Sequence, residues 1–162
     1  VKRLTVGSLD PNVLTDGFLE KVRILPSLLP HFHISIQSGS SSVLRRMRRK
    51  YNAEKALERL LAAKEAISGI TFSADVIVGF PGETDEDFED TMDVVNKAAY
   101  ESAFTFIYSK RTGTPAASMP DQVSEEQVTA CFNKVLAVVQ ETARKQVAIK
   151  LIWALKKCLN RD

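Results

Sequence analysis

Cysteine is nearly absent from this chain. There are two, Cys131 and Cys158, far apart in 162 residues. That excludes a disulfide scaffold, and neither lies in a spacing that a metal or iron–sulfur site uses. No apolar run is long enough to span a bilayer, and no leader-like segment opens the chain, so a cytoplasmic protein with no membrane partner is expected. Excess charge of one sign is missing too: the net charge is +2, so the global balance names no partner and the distribution has to. Repeats and low-complexity segments are also lacking. What remains, 44% hydrophobic and 26% charged residues, fits one globular domain with a real core. The chain starts within a strand-like pattern and without a methionine, and is expected to be a piece of a longer protein.

The pattern centres on Phe72–Glu83, FSADVIVGFPGE. Phe72, Ala74, Val76, Val78 and Phe80 share one face of a strand; Ser73, Asp75, Ile77 and Gly79 share the other. So apolar a run suits a parallel strand covered on both sides. Gly79 and Gly82 drop the Cβ where the backbone turns or meets a ligand closely. Thr84 with Asp87 reads as a capping box, and Asp85 and Glu86 suit the positive end of the helix that follows. In such strand–turn–helix units ligands sit beyond the carboxyl ends of the strands.

In chain order, residues 1–6 read as a strand, with a loop through Pro11 and a helix capped by Thr15 to about Leu25. Leu14 and Leu19 are placed for a hydrophobic staple. Pro26 and Pro30 bound the connection to a strand at His31–Gln37. The run Ser38–Ser42 caps a short helix over 43–49, and Asn52 caps a longer one that Gly69 stops. After the core strand, a helix shows the stripe Phe88, Thr91, Met92, Val95. A strand over 103–108 and a loop over 110–115 follow, and Ser124 with Gln127 reads as a capping box for a long last helix.

Strands alternating with helices argue for a parallel sheet with right-handed crossovers. Three strands look two-faced. Phe32, Ile34, Ile36, Ala74, Val76, Val78, Phe104, Phe106 and Tyr108 form the apolar side; His33, Ser35, Gln37, Ser73, Asp75, Thr105 and Ser109 form the polar one. A polar side facing a lumen favours an arc of a βα-barrel over an open sheet. The expected class is therefore α/β: about four parallel strands of a partial (β/α) barrel over 1–119, then a helical segment over 120–162.

Arg45, Arg46, Arg48, Arg49 and Lys50 crowd one helix end without acids nearby in sequence. The run reads either as a solvated face or as a set of phosphate contacts. Tyr51 beside it stacks on a base or packs, His33 is a satisfied interior residue or a catalytic one, and Asp75 must be paired or wet.

Several stretches resemble the radical-SAM methylthiotransferases, in order and spacing, from about Leu4 to about Gln140. They are His33–Ser40 (HISIQSGS), Asp75–Thr84 (DVIVGFPGET), Phe104–Ala116 (FTFIYSKRTGTPA), Arg48–Tyr51 and Met119–Val123. The Gln37-Ser38-Gly39 turn resembles the tRNA-modifying branch. Ser8–Pro11 resembles enzymes acting on threonylcarbamoyl-adenosine, whereas the 104–117 stretch resembles those acting on isopentenyl-type adenosine. The resemblance implies insertion of a methylthio group into a hypermodified adenosine beside the anticodon of tRNA. It implies a 4Fe–4S cluster that cleaves S-adenosylmethionine to a deoxyadenosyl radical, and a second cluster tied to sulfur delivery. Residue by residue, it assigns cofactor contacts to Gln37, Ser38, Asp75, Val76, Ile77, Gly79, Gly82, Glu83, Phe106, Ile107 and Tyr108. RNA contacts fall to Arg45, Arg46, Arg48, Arg49 and Lys50. The cluster-binding C-x-x-x-C-x-x-C run is not in this sequence, so cluster ligands are expected in a parent protein, and Cys131 and Cys158 are expected to pack. The other expectation is a non-catalytic βα fragment that binds RNA or a protein through the basic helix end.

Overall fold

A computed structural model describes the backbone of residues 2–159 and the side chains of residues 2–148. Four parallel strands form one sheet in the order β1 (Leu4–Leu9), β2 (Leu28–Gln37), β3 (Thr71–Val78), β4 (Ser102–Ile107). Between them run α1 (Asp16–Val22), α2 (Ser41–Arg46), α3 (Ala53–Ala66) and α4 (Asp85–Ala98), and α5 (Glu125–Leu159) follows. Strand order equal to chain order puts successive right-handed crossovers on one side of the sheet, the arrangement of a barrel arc and not of a doubly wound sheet. The core lies on that helical side. Phe32, Ile34, Phe72, Ala74, Val76 and Val78 pack there with Leu60 of α3, Val95 of α4 and Val135 of α5.

Local chemistry sets most boundaries. The Thr15 side chain accepts from Phe18 N–H, Asn52 accepts from Lys55 N–H, and Thr84 and Asp87 complete a reciprocal capping box at α4. Gly69, at φ +74°, lies just beyond the end of α3. The stripe read from sequence on α4, Phe88, Thr91, Met92 and Val95, is buried, as are Ala56, Leu60 and Ala63 on α3.

Four expectations need correcting. The first strand runs on to Leu9 and is irregular, with register shifts against β2 on both sides of Val6 and Ser8 at φ 54°; an edge strand tolerates such bulges. Pro30 lies inside β2, at a point where the ladder to β1 is interrupted and the ladder to β3 has not begun, so no hydrogen bond is lost to its missing N–H. Ser124 accepts from Gln127 N–H, but Gln127 Nε2 donates to Asp85 and not back to the cap.

The fourth concerns the faces of β4. Asp75 pairs with Phe104, Val76 with Thr105 and Ile77 with Phe106. Parallel partners project to the same side, so Phe104 and Phe106 face the open inner side with Asp75 and Ile77. Thr105 faces the helices beside Val76, its hydroxyl buried without a partner among the described residues. The inner face is thus part polar, part aromatic: Phe104 and Phe106 are each about half exposed, and Phe104 meets the His33 ring edge-on at 5.7 Å.

Candidate functional site

A cavity of about 750 Å³ opens at the carboxyl ends of β2, β3 and β4. That is ample for a small-molecule ligand. Gln37 ends β2 with a left-handed backbone, φ 67°, at a register shift against β3 that turns its side chain toward the opening. Asp75 and Ile77 of β3 and Phe106 of β4 form the inner wall, with Ile107 at the strand's end and Phe80 and Tyr108 above them. The Phe80 and Tyr108 rings meet edge-on at 5.2 Å. The wall is mainly apolar with one carboxylate.

That carboxylate is paired. His33 Nε2 lies 3.2 Å from Asp75 Oδ2, and His33 Nδ1 lies 2.9 Å from Ser73 Oγ. The expectation that Asp75 must be paired or wet is met by His33, four residues before the end of the neighbouring strand.

Other residues expected at the site lie elsewhere. The Ser38 hydroxyl is fully buried and contacts Thr91 of α4. Val76 points into the core. A Cβ on Gly79 would sit 2.5 Å from a methyl carbon of Val128, so the close approach at Gly79 is that of α5. On Gly82 a Cβ would meet only Arg46, at 3.6 Å. Both glycines are left-handed, φ +75° and +74°, and shape the turn. Glu83 folds back to accept the Gly79 N–H, while its Oε1 is buried without a partner among the described residues. Burial pushes its carboxyl up to about 7, against the pull of the Gly79 hydrogen bond.

The basic run divides in two. Arg45, Arg48, Arg49 and Lys50 are exposed, and Arg48 holds a left-handed backbone, φ 57°. Arg46 is not available in the same way, since its Nη2 donates to Asp87 Oδ2 at 2.9 Å. Asp87 also accepts from the Ser40 hydroxyl at 2.6 Å, the Ser42 hydroxyl and Thr84 N–H. Burial alone would raise its carboxyl; these hydrogen bonds outweigh it and hold Asp87 well below the usual carboxylate range. Arg48, Arg49 and, from the loop after β4, Arg111 rim the same cavity, with Met47 and Met119.

Sequence reading did not assign Asp87, Arg111 or the two methionines to the site. Arg111 had a signal, a cation in a loop just past a strand end, but Asp87 was visible only as a cap. Tyr51 is buried, and its hydroxyl reaches the carbonyls of Ser35 and Ile36 at 2.8 and 3.1 Å, so it packs and does not offer a ring to a base. Cys131 is half-buried on α5 with its thiol pushed up by burial. Cys158 lies outside the residues whose side chains are described. Among the described residues no cluster of His, Cys, Asp and Glu could hold a metal ion, so they offer no ligand set for an iron–sulfur cluster. No helix among them is long and apolar enough to cross a membrane.

Residues 3–95 match the Radical SAM superfamily. Proteins described as tRNA-2-methylthio-N(6)-dimethylallyladenosine synthase are similar over most of the chain. That from Acidothermus cellulolyticus is 44% identical over 146 residues, 90% of this chain and 29% of the relative. Its counterpart from Clostridioides difficile is 45% identical over 139 residues, 86% of this chain and 29% of the relative. The chain therefore spans about three tenths of the length of these curated relatives. Among solved structures, coproporphyrinogen III oxidase from Escherichia coli, described as a radical SAM enzyme, superposes with a TM-score of 0.69. It does so at 20% identity, over 86% of this chain and 32% of that one, which supports the fold alone.

Proposed function

The chain belongs to the radical SAM superfamily, and from that premise we propose that it forms the S-adenosylmethionine-binding part of a tRNA methylthiotransferase. The substrate we infer, following the relatives' description, is N6-dimethylallyladenosine, in the anticodon stem-loop of a cytoplasmic tRNA. The observation that carries this reading is the cavity at the strand ends, with one paired carboxylate set in an apolar, aromatic wall.

Such a cavity suits a nucleoside with a cationic centre. Ile77, Phe106, Ile107 and Tyr108 exclude water around an adenine ring, Gln37 offers an amide to polar ligand groups, and Asp75 complements positive charge. S-adenosylmethionine, when bound, supplies the methyl group and the source of radical chemistry. Ser38, Val76, Gly79, Gly82 and Glu83 act one layer behind, shaping the turn and strand that carry the wall. Iron–sulfur clusters belong to the whole protein, held by ligands outside this sequence. For RNA the exposed Arg45, Arg48, Arg49 and Lys50 supply phosphate contacts; Arg46 contributes through position, tied to Asp87. The division into a barrel part, 1–119, and a helical segment, 120–162, is one of role, since Val128, Val135 and Val139 of α5 share the barrel core.

A second reading, a non-catalytic fragment that binds RNA or a protein, draws on the same four exposed cations. One experiment separates the two. The whole protein that carries this chain is expressed in a bacterium deleted for its own 2-methylthio-adenosine synthase. Nucleoside mass spectrometry should show the methylthio mark restored in tRNA. An unmodified tRNA pool despite soluble expression refutes the enzymatic reading.

A further inference from the structure

Along the inner face, β2 and β3 carry a line of polar side chains, hydrogen-bonded from Thr71 to His33 and closed by the His33–Asp75 pair, of which the proposed function uses only Asp75. His31 Nδ1 lies 2.8 Å from Thr71 Oγ1 and 3.5 Å from Glu101 Oε2. His31 Nε2 lies 3.1 Å from Ser73 Oγ, Ser73 Oγ lies 2.9 Å from His33 Nδ1, and His33 Nε2 lies 3.2 Å from Asp75 Oδ2. The line ends at the cavity wall.

One chemical fact orients the cavity end of it: an ionised carboxylate accepts hydrogen bonds and donates none. His33 Nε2 therefore carries the N–H that faces Asp75. For a neutral imidazole, Nδ1 then has only a lone pair and takes the Ser73 hydroxyl proton. The Ser73 oxygen in turn accepts His31 Nε2–H, while His31 Nδ1 faces both the Thr71 hydroxyl and the Glu101 carboxylate. Ser73 is 4% exposed, so water does not readily replace either of its partners. The edge-on contact with Phe104 limits rotation of the His33 ring. His33 is the one polar side chain that the described residues bring to the Asp75 carboxylate.

We propose that His33 is a positioning residue. It fixes the Asp75 carboxylate in one orientation toward the cavity, as the acceptor for hydroxyl donors and positive charge of the nucleoside ligand. Ser73 and His31 set the tautomer that lets it do so. The ligand half of this rests on reading the cavity as the S-adenosylmethionine site; the tautomer does not.

The test uses the 162-residue chain, nitrogen-15 NMR of its imidazoles, and calorimetric titration with S-adenosylmethionine. Wild-type His33 should be protonated at Nε2 alone, and Ser73→Ala should give a mixture of tautomers with the fold retained. His33→Gln keeps a donor near the Nε2 position and should hold affinity within about threefold. His33→Phe keeps a ring against Phe104 without a donor and should weaken binding about tenfold or more, the scale of one hydrogen bond to a charged group. Wild-type His33 protonated at Nδ1, or equal affinity of wild type and His33→Phe, including none in either, overturns the inference. Absence of the methylthio mark from tRNA with these affinities as expected counts against the proposed activity alone.

Discussion

Gly79 and Gly82 share one turn and nearly the same backbone, φ +75° and +74°, yet they face different neighbours. A Cβ on Gly79 would lie 2.5 and 2.9 Å from the two methyl carbons of Val128 on α5, whereas on Gly82 the first atom met is Arg46 Nε at 3.6 Å. Alanine at either position carries the cost of a left-handed backbone, about 1–2 kcal/mol. At Gly79 it also overpacks the seam between the turn and α5, which adds about 1–3 kcal/mol. Gly82→Ala should therefore cost about 1–2 kcal/mol and Gly79→Ala about 2–5 kcal/mol, read as shifts in urea midpoint at unchanged slope. Val128→Ala provides the control. It destabilises on its own by emptying a buried site, but it removes the methyl groups that a Gly79→Ala side chain would strike. In that background Gly79→Ala should fall toward the cost of Gly82→Ala, a coupling of about 1 kcal/mol or more. Equal costs at the two glycines, or strict additivity with Val128→Ala, would refute the packing argument.

Four other outcomes follow from the site. Asp87→Asn should destabilise by about 2–4 kcal/mol, because it leaves Arg46 half-buried without its carboxylate. Since folding depresses the Asp87 pKa, its contribution is present above its ordinary value of 3.8 and is lost as pH falls below it; an acid limb of the stability profile that is shallower in Asp87→Asn than in the wild type checks this. Glu83 runs the other way: its carboxyl is pushed from 4.5 to about 7, so ionising it costs stability as pH rises through that window, by at most about 3 kcal/mol, and Glu83→Gln should flatten the profile. The triple change Arg45→Ser, Arg48→Ser, Arg49→Ser should lower the slope of log affinity for tRNA against log salt by about 2–3, with an unchanged slope marking a merely solvated face. Anaerobic reconstitution of this chain with iron and sulfide should give no stable 4Fe–4S absorption, and a stoichiometric cluster would contradict the packing role of Cys131.

Much of the architecture was legible because several elements announce their own ends. Thr15, Asn52 and Thr84 cap, Gly69 stops, and period-two or helical stripes fill the intervals. The face assignment of β4 was not legible. Alternation fixes which residues lie together, but not which group faces the core; that is set by the register with β3. Placing phenylalanine inward is the normal choice, and it fails here because the inner face is a cavity wall. There Phe104 and Phe106 stand half exposed while the core side receives Thr105, whose hydroxyl has no partner among the described residues. Local consistency is expected to break at functional sites.

Gly79 and Arg46 show a related limit. Gly79 reads as a sharp turn or a close approach to a ligand, and Arg46 as part of a solvated face or of a set of phosphate contacts. The structure adds protein neighbours that neither reading names: Val128 stands against Gly79, and Asp87 holds Arg46. A glycine needed for close approach and a cation within a basic run look the same in sequence whether the other party is a ligand or a distant helix. The partners lie on α4 and α5, more than forty residues on in chain order, where no local pattern points back. The residues that do line the cavity, Gln37, Asp75, Ile77, Phe106, Ile107 and Tyr108, share a simpler property. Each sits at or near the carboxyl end of a strand or on its inner face, so fold topology alone brings them together.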